Sequence, residues 1–146
     1  MVETLNFQFR SSSNMNLKLY FITLIIFLGI DAFWLGLVAP RFYRSQIGHL
    51  MADKPNLLAA GVFYLLFVGA LVYFVVAPAV GGAEMREIIL RGALFGLVTY
   101  ATYDLTNLAT LREWPMLVTV VDLIWGTVLT AATSALSVWI ARVFPG

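Results

Sequence analysis

The chain has 146 residues, 61% of them hydrophobic, and sets nine basic and eight acidic side chains against 11 Phe, 6 Tyr and 4 Trp. A soluble domain carries about 25% charged residues; at 12% this chain lacks the charged shell that so small a fold would turn to water. With a mean hydropathy of +0.89, the composition points to a polytopic membrane protein. It excludes disulfides and thiolate chemistry (no Cys), a multi-histidine metal centre (one His) and, at a net charge of +1, a nucleic-acid partner.

Taken in chain order, residues 1–16 are polar and mixed, with a serine run at 11–13, and read as a flexible N-terminal tail. Met15 opens a second plausible beginning, Met-Asn-Leu-Lys-Leu-Tyr-Phe, so the stretch before it suggests a misplaced start. Four apolar runs follow, about 17–39, 57–80, 88–111 and 116–140. Each is long enough to cross a hydrocarbon core of about 30 Å. The first run is too long for a signal peptide and lacks a small-x-small cleavage pattern, so it reads as a retained helix.

The links at 40–56, 81–87 and 112–115 are short. The expected fold is therefore all-α, an integral membrane antiparallel four-helix bundle occupying residues 17–146. Pro40, Pro55, Pro78, Gly81-Gly82 and Trp114-Pro115 mark its boundaries, with Trp114 and Tyr20 as interface anchors. Arg10, Lys18, Arg86, Arg91 and Arg142 fall on one face, against Arg41, Arg44, Lys54 and Arg112 on the other. Five against four slightly favours cytoplasmic termini for a multi-pass protein of the cell inner membrane; beginning at Met15 makes it four against four.

The informative residues lie inside the spans. Asp31 precedes Pro40 by nine residues, Asp104 precedes Arg112 by eight, and Asp122 follows Pro115 by seven. These offsets put all three carboxyls about 10–13 Å below the same membrane face. A carboxylate in hydrocarbon is costly, so each is expected to face the bundle interior or a wet cavity. On the third span Gly92, Gly96, Tyr100, Tyr103/Asp104 and Asn107 share one helical stripe, and the Gly-x-x-x-Gly allows close helix approach. On the fourth, Asp122, Trp125/Gly126, Thr130, Thr133 and Ser137 form a polar and small stripe. Trp34 lies beside Asp31, and Tyr64 on the second span reaches the same level.

The expected site is thus a carboxylate and aromatic ligand pocket of Asp31, Trp34, Tyr64, Tyr100, Tyr103, Asp104, Asn107, Asp122 and Trp125. Arg41, Arg44, His49 and Arg112 stand at its mouth. An Arg could reach down to a carboxylate along its apolar stem. The plain alternative is that these polar groups only glue helices together, at about 1 kcal/mol or less apiece. That alternative weakens for three carboxyls at one level, since Ser, Thr or Asn would make cheaper glue.

Several functions fit such a pocket. One is a binding or transport-related protein for a small cationic or apolar ligand; transport by a single small bundle would call for a homo-oligomer. Another is a lipid-modifying enzyme using the aspartates with a divalent cation. A third is a structural accessory subunit. Tyr103-Asp104 matches half of an intramembrane aspartyl protease signature, but the Gly-x-Gly-Asp partner is missing and four spans are too few. Ser134 and Ser137 lie far from His49, which disfavours a serine hydrolase. Catalytic residues, metal ligands and cofactors stay unassigned; membrane lipids are the expected partners.

The third span, Gly92-Ala-Leu-Phe-Gly-Leu-Val-Thr-Tyr-Ala-Thr-Tyr-Asp-Leu-Thr-Asn-Leu-Ala-Thr-Leu111, closely resembles the signature of a family of small bacterial inner-membrane proteins known only as a domain of unknown function. The resemblance extends over Asp31-Ala-Phe-Trp-Leu-Gly36, Phe42-Tyr43, Ile47-Gly-His-Leu50, Phe63-Tyr64, Pro78-Ala79 and Val121-Asp-Leu-Ile-Trp-Gly126. It covers about 17–140 and leaves the tail outside. It implies four spans and a bacterial membrane, and it brings no activity.

Overall fold

Long apolar runs in lipid have no water to satisfy their peptide groups, so they must bond internally, as helices or closed barrels. The protein takes the helical solution. Its structure, a computed structural model, describes the backbone of residues 2–144 and the side chains of residues 15–144. The elements are α1 (Val2–Leu37), α2 (Ala39–Ile47), a 3-10 turn (Gly48–Leu50), α3 (Leu57–Leu71), a π turn (Val72–Val76), α4 (Ala77–Val80), α5 (Met85–Thr110) and α6 (Met116–Val143). The expectation of a flexible tail over 1–16 falls, but for Met15 and Asn16, outside the residues described with side chains.

Four stretches are long and apolar enough to cross a membrane: Met15–Leu37, Leu57–Val80, Met85–Thr110 and Met116–Val143. This is an all-α membrane bundle, with no strand among the described residues. The second span has the expected bounds. The third begins three residues early and the fourth ends three late, because Arg86 and Arg142 extend their spans into the polar interface rather than ending them. Arg142 does so by donating to the carbonyls of Ala79, Val80 and Ala83, clamping α6 over the C-terminal end of α4.

Two prolines act otherwise than expected. Pro40 does not open a loop: α1 stops at Leu37, and Pro40 sits in the first turn of α2, where a missing N–H costs nothing. The link 40–56 is therefore half helical. Pro78 does not end its span but lies within α4, directly after the π turn. Its ring would crowd the carbonyl one turn back, and the widened turn Val72–Val76 makes room. The span ends instead at Gly81-Gly82, where Gly82 takes φ +140, a conformation that side chains resist. Asn56 begins α3 by accepting the Ala59 N–H at 3.1 Å.

The core runs along the bundle axis through Phe27, Val68, Leu71, Val76, Ile88, Leu129 and Val138. Outward faces such as Ile25, Leu58, Leu66, Phe74 and Ile124 are exposed and apolar, as lipid requires. Helices α5 and α6 make the closest pair. A methyl group on Gly92 would stand 2.6 Å from Ser134 Oγ, and one on Gly96 would stand 2.2 Å from the Gly126 carbonyl. On Gly126 it would meet the Tyr100 ring at 2.2 Å. These glycines let two backbones touch, which holds Tyr100, Asp104 and Asp122 in one neighbourhood. Trp114, expected as an interface anchor, is buried against the protein's own residues: its indole donates to Thr119 Oγ1 at 3.1 Å, and its ring meets that of Tyr103 nearly at right angles.

Candidate functional site

The last two turns of α5 and the first two of α6 lie side by side, so Asp104 and Asp122, on facing stripes, come together. Both line one cavity of about 320 Å³, walled by Phe63 and Phe67 of α3 and by Thr99, Tyr100 and Tyr103 of α5. Asp104 is fully buried. Neither of its carboxylate oxygens has a hydrogen-bond partner among the described residues. Asp122, also buried, accepts a hydrogen bond from the phenol of Tyr43 on α2.

Asp31 is placed differently. It does not line the cavity but accepts from Tyr64 Oη at 2.7 Å and from Trp125 Nε1 at 3.3 Å. Trp34 lies flat on Trp125, with ring centroids 4.5 Å apart. Asp31, Trp34, Tyr64 and Trp125 thus form a satisfied bracket joining α1, α3 and α6. The expected nine-residue pocket divides in two: a bonded carboxyl that fastens helices, and an unbonded one that faces a cavity. Asn107 is half-buried and lines neither part.

The mouth residues are also dispersed. Among the described residues no basic side chain pairs with any of the three aspartates. His49 instead meets Glu113, Nε2 to Oε2 at 3.1 Å, joining the 3-10 turn to the α5–α6 link. Arg41 and Arg44 line a separate hollow on the outer side of α2, and Arg112 is exposed.

Tyr43 and Glu113 belong to the site region and were not singled out from the residues. For Tyr43 a signal exists: Ala39 and Tyr43, four residues apart, share one face of a nine-residue helix whose other side carries Arg41 and Arg44. Reading 40–56 as loop hides that period. Burial, and after it the hydrogen bond to Asp122, push the Tyr43 phenol well above its ordinary value. Tyr43 therefore remains a neutral donor at neutral pH. Its contribution to stability is intact below pH of about 10, where a free phenol ionises, and is lost as pH rises further. Tyr43→Phe should flatten the alkaline limb of a thermal-stability profile; an unchanged limb would show that α2 is not held through this bond.

Comparison with known proteins places the chain. The family described as Predicted membrane protein (DUF2177) matches over residues 16–139. The chain belongs to this family. Its match spans Asp31, Asp104, Asp122 and Tyr43, hence both the bracket and the cavity, and begins where the polar segment 1–16 gives way to the first span. As a DUF2177 member the protein is a membrane protein with four candidate spans, of a family whose function is unknown. No curated protein and no solved structure matches it.

Proposed function

We propose that the protein is a membrane-embedded binding protein whose cavity receives a cationic group carried on a small apolar body. The observation that carries this reading is the state of Asp104, a fully buried carboxyl with both oxygens unbonded, facing an aromatic cavity that it shares with Asp122. Two carboxyls in a low-dielectric space, with no basic side chain paired to them among the described residues, call for a proton or a cation. A lining with four aromatic rings, Phe63, Phe67, Tyr100 and Tyr103, suits an alkylammonium group, which aromatic rings attract. The volume is at the small end of ligand pockets, about 300–1,000 Å³.

The lipid-modifying alternative has less support in the side chains. Among the described residues no three of His, Cys, Asp and Glu stand together as metal ligands, and no nucleophile pairs with His49. The nearness of Asp104 to Asp122 favours a second reading, in which the pair passes a proton as the ligand enters or leaves. Transport on that basis would take further copies of the chain, because one bundle has no second half to move.

The test uses benzyltrimethylammonium and its uncharged carbon isostere, neopentylbenzene, added to the full chain in lipid nanodiscs. Saturable binding of the cation alone, lost in Asp104→Asn, is expected. Equal binding of both, or of neither, would overturn the reading.

We further propose that the protein lies in the bacterial inner membrane with both termini cytoplasmic, on the support of five basic residues at that end, Arg10, Lys18, Arg86, Arg91 and Arg142, against four at the other. A fluorescent protein fused after Gly146 should therefore be bright, and an alkaline phosphatase fused there inactive. The reverse pattern would invert the topology.

A further inference from the structure

Helix α2 lies at the membrane face, between the end of the first span at Leu37 and the start of the second at Leu57. Its inner side is fixed: Ala39 is buried, and Tyr43 is bonded to Asp122. That anchorage decides what the outer side must do. Arg41 and Arg44, three residues apart, face away from the bundle and are exposed. They line one hollow with Pro40 and Ser45. The helix carries no acidic residue, and neither guanidinium has an ionic partner among the described residues, whose ion pairs are His49–Glu113 and Arg91–Glu87. The Ser45 hydroxyl donates to the Phe42 carbonyl at 2.7 Å, which leaves the two arginines as the free donors of the hollow.

We propose that this hollow is a docking site for the phosphate of an anionic phospholipid headgroup. Two forked guanidinium groups on one helix face match the oxygens of a phosphate diester, which each can bind in two-point fashion. Their position suits a lipid rather than a solute: α2 begins two residues after the first span ends at Leu37, at the level where headgroups lie. Because Tyr43 holds the inner side to Asp122, α2 cannot roll to hide the arginines, so the site stands preformed. A lipid held there fixes α2, and through Tyr43 it steadies one wall of the acidic cavity. This inference does not depend on what the cavity binds.

The experiment compares the full-length protein with R41Q/R44Q and with R86Q/R91Q, a double variant at the opposite end of the bundle. Each is purified in a neutral maltoside and titrated with phosphatidylglycerol and phosphatidylcholine, with bound lipid counted by native mass spectrometry. Attraction of a basic residue to an anionic lipid surface predicts about thirtyfold weaker phosphatidylglycerol binding for R41Q/R44Q. Phosphatidylcholine binding, R86Q/R91Q and the helical circular dichroism of both variants should be unchanged. Undiminished phosphatidylglycerol binding by R41Q/R44Q, or equal loss in R86Q/R91Q, would overturn the proposal. So would displacement of the lipid by an equal concentration of inorganic phosphate, which would make the site one for the free anion.

Discussion

Gly96→Ala lowers the thermal midpoint of the protein by up to about 8 °C, whereas Gly36→Ala and Gly61→Ala leave it level or slightly raised. The new methyl at position 96 would stand 2.2 Å from the Gly126 carbonyl and 2.8 Å from Thr130 Cβ, and a backbone carbonyl cannot swing aside. Helices α5 and α6 must part, at about 1–3 kcal/mol for an overpacked contact. That strain outweighs the gain of about 1 kcal/mol from replacing a helical glycine by alanine. At Gly36 and Gly61 nothing lies within 4 Å, so only the gain remains. Thermal unfolding followed by circular dichroism in detergent is the measurement. Equal midpoints for all three variants would mean that the α5–α6 contact is looser than its geometry.

Asp104→Asn and Asp31→Asn fail in opposite ways. The side chain of Asp104 makes no hydrogen bond among the described residues, so neutralising it leaves the fold within about 1 kcal/mol of the parent and removes a buried charge. Binding of benzyltrimethylammonium falls by about tenfold or more, because the anion that meets it is gone. Asp31 has two donors on its two oxygens. Asparagine keeps one acceptor oxygen and puts an amide nitrogen, which only donates, in place of the other, so the Tyr64 hydroxyl must turn from donor to acceptor and the charge-assisted bonds are lost, at about 1–2 kcal/mol, with cation binding retained. The assay pairs a melting curve with a binding isotherm for each variant. Should Asp104→Asn destabilise as much as Asp31→Asn and still bind, the carboxyls are helix glue and the binding function is wrong.

The contrast between these two aspartates shows how far residue patterns reach. Depth is counted at 1.5 Å per residue, so a common level for Asp31, Asp104 and Asp122 is expected from their distances to Pro40, Arg112 and Pro115; what the structure shows is that Asp104 and Asp122 line one cavity. Which donors surround each one cannot be counted. Tyr64 lies 33 residues from Asp31 and Trp125 lies 94 away, and their meeting depends on the rotation of three helices about their axes. The same holds for His49, whose place beside Glu113 comes from the way the α5–α6 link folds under the 3-10 turn. Pro40 and Pro78 show a local limit: a proline marks a place where the helix must adjust, and packing decides whether it ends, restarts or widens into a π turn.

Scarce charge and abundant oil were enough to establish four membrane-crossing helices, because lipid leaves a chain so composed no other way to bond its backbone. The glycine and polar stripes of α5 and α6 were legible too, since helical periodicity is a property of one segment. The tertiary structure alone decided that one aspartate is bonded, that another faces a cavity unbonded, and that Tyr43 crosses from α2 to Asp122. Those outcomes depend on the relative rotation and spacing of helices, set where Gly92, Gly96 and Gly126 let two backbones meet.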